Sequence, residues 1–168
     1  MELLVISSEL CYNKREIKSG VYVMLSSVNP LSETEAKQIN PVVLAFLGDA
    51  VYSLWVRERL ARSGSNKPSE LQRAASSLVS ARGQSVFLDK ILPLLSESEE
   101  EVYRRGRNAK KATKSKNATP SEYNRSTGFE AVLGYLHLQG KTERIERLLA
   151  ETEEALLKGQ AAEKPYKP

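Results

Sequence analysis

PVVLAFLGDAVYSLWV, residues 41–56, decides how the rest of this chain is read. Leu44, Leu47, Val51 and Leu54 recur at the spacing of one face of a buried helix. Asn40 suits an N-cap, and Pro41 suits the first helical position, where a missing N–H costs no hydrogen bond. The stretch holds one acid, Asp49. TGFEAVLGYLHLQG, residues 127–140, repeats the description: Phe129, Val132, Leu133 and Leu136 turn to the core, Gly140 ends the helix, and Glu130 is its one acid. Burying an unpaired carboxylate costs several kcal/mol. Each of these acids therefore calls for a partner.

Outward from these two helices the pattern stays helical. RERLAR carries the first one on to a stop near Ser63, Gly64 and Ser65. Asn66, Lys67 and Pro68 open another, continued by Leu71, Ala74, Ala75 and Leu78, and Gly83 breaks or bends it. Val86, Leu88, Ile91 and Leu92 make the next, ended near Pro93. Ser96 with Glu99 is a capping-box signature that opens a helix containing Val102 and Tyr103. A last amphipathic helix, from about Lys141 to Lys158, uses Ile145, Leu148, Leu149 and Leu156. Residues 159–168 have the composition of a disordered tail. Residues 1–27 keep no sustained period and form an N-terminal extension of uncertain order, with Met24 as an alternative start. Residues 28–158 then make one all-α domain, a helical bundle without repeats or a heptad seam.

Composition narrows the function. The 168 residues suffice for one domain with a proper core. A net charge of +4 and a pI near 9.1 suit a polyanionic partner without demanding one. Cys11 stands alone, which excludes an internal disulfide and a cysteine-built zinc site and fits a reducing compartment. His137 is the single histidine, so paired-histidine metal and catalytic arrangements are excluded, and it reads as a helix residue rather than a catalyst. No apolar run approaches the roughly 20 residues of a membrane span. Glu2 beside LLVI makes a poor signal peptide. These readings place the protein in the cytoplasm, off the membrane.

A metal ion shared by Asp49 and Glu130 would answer the cost of both acids. Ala45, Tyr52 and Ser53 beside Asp49, and Gly134 and His137 beside Glu130, make small or polar strips with room for an ion, its waters and a phosphate. Magnesium takes one or two carboxylates and completes its octahedron with waters and substrate oxygens. The competing use is structural, with Asp49 capping a neighbouring helix and Glu130 paired to a lysine or arginine.

LAFLGDAVY at residues 44–52 and TGFEAVLGYL at residues 127–136 resemble the ribonuclease III catalytic domain. The likeness is greater to its compact branch, Mini-ribonuclease III, which lacks a double-stranded-RNA-binding domain. KPSELQRAASSLVSARGQ and RRGRNAKKATKSKNATPSEYNRST resemble that branch too, so the likeness spans roughly residues 40–157. The resemblance implies a ribonuclease III-type endonuclease domain in which Asp49 and Glu130 hold Mg²⁺ and carry catalysis. It implies a homodimer, with Phe46 where the family projects an aromatic into the partner subunit. Ala45 stands where full-length members have the signature glutamate, and Thr127 where they have an aspartate. Both replacements look typical of the compact branch and leave fewer ligands for a second ion; Thr127 could bind one through water.

Between Arg104 and Lys116 lie Arg104, Arg105, Arg107, Lys110, Lys111, Lys114 and Lys116, with no acid among them. Gly106, Ala109, Ala112 and Ser115 interleave them, as in a loop that is flexible in part. Charge runs are usually solvated faces, but this one precedes the Glu130 helix and suits phosphate contacts. The run has no aromatic to stack on single-stranded bases. Double-stranded RNA, bound through shape, phosphates and 2′-hydroxyls, fits better. Arg82 and Tyr123 are weaker contact candidates.

In-line attack of a Mg²⁺-activated water on an RNA phosphodiester follows from such a site. By resemblance, the products carry 5′-phosphate and 3′-hydroxyl ends, and the substrate is the double-stranded stalk of precursor 23S ribosomal RNA. A ribosomal protein on that substrate is left open as a further partner. One rival reading is a non-catalytic helical RNA-binding or ribosome-associated docking protein. Another is a DNA-binding or purely structural helical protein, indifferent to Asp49.

Overall fold

The computed structural model describes residues 29–62, 67–110 and 118–162, with backbone alone over residues 153–162. Seven α-helices follow one another among these residues, and no strand occurs among them. They are α1 (Glu33–Gln38), α2 (Pro41–Arg62), α3 (Pro68–Val79), α4 (Ala81–Ile91), α5 (Glu97–Asn108), α6 (Pro120–Leu138) and α7 (Thr142–Ala162), with a 3₁₀ turn, Leu92–Leu94, after α4. The all-helical bundle expected from the sequence is the fold observed. The extension at residues 1–27 lies outside the described residues, and α7 continues through Ala162 into the segment read as a tail.

Local chemistry sets the helix ends. Ser96 and Glu99 form the expected capping box, and Ser32 with Glu35 and Thr119 with Glu122 form two more. The break after α3 falls at Ser80, not at Gly83. Ser80 Oγ caps α4 by accepting from the Gly83 N–H at 3.0 Å, so Gly83 lies inside the first turn. Gly140, at φ +67°, closes α6: its N–H donates to His137 O and that of Lys141 to Leu136 O. This is a Schellman ending, in which a left-handed glycine lets the last carbonyls find donors.

Helix α6 is the axis of the molecule and contacts α1, α2, α4, α5 and α7. Its middle is buried on every side, unlike a surface helix: Ser126–Phe129 and Ala131–Leu136 are all buried. Behind the region of interest, Tyr52 of α2, Phe87 of α4 and Phe129 of α6 form a ring cluster with centroids 5.4–5.9 Å apart. Such tilted and edge-on pairs add about 0.5–1.5 kcal/mol each beyond their burial. The buried side of α2 differs from the leucine face read in the sequence. Leu44, Ala45, Gly48, Tyr52, Trp55 and Val56 are buried, whereas Leu54 is exposed. Packing against the α6 backbone selects the small residues and rotates the face.

Candidate active site

The seam between α2 and α6 is made by two glycines. A Cβ placed on Gly48 would lie 1.7 Å from the carbonyl oxygen of Glu130, and one on Gly134 would lie 2.0 Å from that of Leu44. The helices therefore touch backbone to backbone. Asp49 follows Gly48 directly, so the two acids rise from main chains in contact. This corrects the role given to Gly134, and with it Ala45, which is buried: these small residues admit the neighbouring helix rather than leaving room for an ion.

Neither acid is buried as the apolar surroundings suggested. Asp49 is exposed, because it sits at the margin of the seam rather than under it. Desolvation still raises its carboxyl above the ordinary value, while the Arg57 guanidinium acts in the opposite direction. Glu130 is half-buried, and its Oε1 accepts from Nε2 of Gln84 at 2.7 Å. Gln84 comes from α4 and has no exposed surface. Its importance was missed in the sequence, yet a signal existed. It stands three, four and seven residues before Phe87, Leu88 and Ile91, a polar residue on an otherwise apolar helix face.

Thr127, buried one turn before Glu130, donates its hydroxyl to the Tyr123 carbonyl at 2.8 Å. His137 is half-buried farther along α6, and desolvation lowers its pKa. Among the described residues no group of three or more His, Cys, Asp or Glu side chains could cage a metal. Asp49 and Glu130 offer two carboxylates, one open to solvent. That set fits a hard divalent cation that keeps waters and takes further oxygens from a phosphate.

The basic run divides. Arg104 and Arg107 are exposed on α5, not in a loop, and Lys110 is exposed just beyond its end. Arg105 has another use: its guanidinium donates to the carbonyls of Lys37 and Ile39, closing the C-terminal end of α1. Lys111, Lys114 and Lys116 lie outside the described residues. Arg82 is exposed and Tyr123 half-buried. Phe46 is 81% exposed, with Val42 and Val43 also exposed on α2. A free-standing apolar group of this kind is unusual for a helix whose other face reaches the core.

The Ribonuclease III domain family matches residues 42–141. Mini-ribonuclease 3 of Streptococcus pneumoniae is 47% identical over 114 residues, covering 67% of this chain and 89% of that protein. Mini-ribonuclease 3 of Brevibacillus brevis is 49% identical over 110 residues, 66% of this chain and 82% of its own. That of Symbiobacterium thermophilum is 43% identical over 132 residues, 79% and 97% of the two chains. A crystal structure of a Fusobacterium nucleatum protein superposes with a TM-score of 0.63 at 29% identity, covering 75% of this chain and 98% of that one.

Proposed function

This chain belongs to the ribonuclease III family, in its Mini-ribonuclease 3 branch, and is an endoribonuclease of double-stranded RNA; from that premise we propose that it cuts with Mg²⁺ held by Asp49 and Glu130. The observation that carries the site is the Gly48–Gly134 seam, which starts both carboxylates from backbones in contact. When bound there, the ion would activate water and stabilise charge on the scissile phosphate. The protein's own part is to hold the acids. Gly48 and Gly134 set the distance between their helices, Gln84 bonds one of them, and solvent reaches the other.

The proposed enzyme is a cytoplasmic two-fold homodimer, because one site cuts one strand and a duplex needs two. Phe46, Val42 and Val43 are the apolar residues offered for that contact. Arg104, Arg107 and Lys110 on and after α5, with Lys111, Lys114 and Lys116, supply phosphate contacts. The proposed substrate is the double-stranded stalk of precursor 23S ribosomal RNA, in keeping with the branch. No reading of the site calls for a ribosomal protein in the chemistry itself.

The substrate is tested by incubating the protein with transcripts carrying the paired ends of precursor 23S RNA and with an unrelated duplex of equal length. Cuts on both strands of the stalk, leaving 5′-phosphates, are expected at far lower enzyme concentration than on the unrelated duplex. Equal cutting of both would remove the ribosomal assignment and leave the nuclease.

A further inference from the structure

Gln84 lies on the face of α4 that also carries Phe87, Leu88 and Ile91, and none of its surface is exposed. A buried amide is costly unless its hydrogen bonds are made. Its Nε2 donates to the Val79 carbonyl at 3.1 Å and to Oε1 of Glu130 at 2.7 Å. Turning the amide over would set its oxygen against two acceptors, so these partners fix which end faces Glu130. In that orientation Oε1 has no hydrogen-bond partner. An apolar residue of the same size would spare the fold this unpaired acceptor but take their amide donor from the Val79 and Glu130 oxygens. What the amide contributes is its two bonds, one of them to the carboxylate of Glu130.

The anchor behind it is rigid. Val79 ends α3, and every carbonyl of that last stretch is engaged. Ser77 O accepts from Ser80 Oγ at 2.7 Å, Leu78 O from Tyr52 Oη at 3.5 Å, and Val79 O from Gln84 itself. A Cβ on Gly83 would fall 2.2 Å from Ser77 O, so α4 starts in direct contact with the end of α3. Gln84 thus ties one carboxylate oxygen of α6 to a fully bonded helix junction.

We infer that Gln84 is a positioning residue of the nuclease site, fixing the orientation in which Glu130 presents its carboxylate to a divalent cation. The inference rests on the reading of Asp49 and Glu130 as the ligands of that cation. A bond of this kind orients a ligand and raises its affinity for metal, and its loss typically costs ~10–100-fold in affinity or activity.

Gln84→Met keeps the volume and removes the amide; Gln84→Asn keeps an amide that cannot span both partners. Mn²⁺ binding without RNA, followed by electron paramagnetic resonance, is compared in the intact protein, these two variants and Asp49→Asn, alongside thermal unfolding. Gln84→Met is expected to bind Mn²⁺ about tenfold more weakly. It should need correspondingly more Mg²⁺ for half-maximal cleavage. Unchanged Mn²⁺ binding in folded Gln84→Met overturns the inference, whatever its Tm, and makes Gln84 a packing residue. If Gln84→Met does not fold, Gln84→Asn decides on the same readout. Should Asp49→Asn bind Mn²⁺ as tightly as the intact protein, the ligand assignment itself has failed. Weakened binding in Asp49→Asn with none in the Gln84 variants overturns only the positioning role.

Discussion

Gly48 of α2 presses so closely on Glu130 of α6 that a methyl group at its Cα would sit 1.7 Å from the Glu130 carbonyl oxygen. The clash is with backbone, so no rotamer change relieves it. Overpacking normally costs about 1–3 kcal/mol. Gly48→Ala is expected at or above the top of that range, measured by urea unfolding. Cleavage should fall further than the loss of folded protein explains, because the helices that carry the acids are forced apart.

The arginines of α5 should separate into two kinds. Arg105→Ala removes the bonds that close α1, and hydrogen bonds from a charged donor contribute about 1.5–3 kcal/mol. It should lower stability while leaving the salt dependence of RNA binding almost unchanged. Arg104→Ala and Arg107→Ala should leave stability alone and reduce the salt slope by about one each, as expected if each removes one proposed phosphate contact. Filter binding across a salt series, with thermal unfolding alongside, reads both effects.

An ion pair between α5 and α7 contributes to acid stability. Glu99 is buried on α5, and both its oxygens accept from Arg144 of α7 at 2.8 Å, while Ser96 N–H donates to it at 2.8 Å. Burial pushes its pKa up, but the Arg144 and Ser96 bonds outweigh that, and the carboxyl is held below its ordinary value. With the folded value depressed, this pair stabilises the fold above the unfolded value near 4.5 and is lost as pH falls through the folded one. Arg144→Met should destabilise by about 3 kcal/mol at neutral pH, the low end for a broken buried pair, because Arg144 keeps a quarter of its side chain in water. The difference from the intact protein should shrink in acid, as followed by circular dichroism.

Much of this was legible in one sequence. The helices of LAFLGDAVY and GFEAVLGYL stand where their apolar spacing puts them, and the Ser96–Glu99 box opens α5 as read. The boxes at Ser32–Glu35 and Thr119–Glu122 carry the same signature but sit in polar stretches, where no apolar run drew attention to a helix. Helical period alone did not reveal that α2 meets α6 through glycine. That contact turns Leu54 outward and takes up the space assigned to an ion. Nor could periodicity join Gln84 to Glu130, residues 46 positions apart on different helices, or show Arg105 folded back on α1.

Asp49 and Glu130 together are proposed as the metal-dependent cutting site. Cleavage of an end-labelled double-stranded RNA stem with and without Mg²⁺, by the intact protein, Asp49→Asn and Glu130→Gln, tests this assignment most directly. Mg²⁺-dependent cuts by the intact protein are expected, with a loss of at least ~100-fold in each variant, beyond the usual cost of a supporting residue, and with RNA binding retained. Cleavage that persists in either variant, or tight RNA binding without cleavage by any of the three, would contradict it.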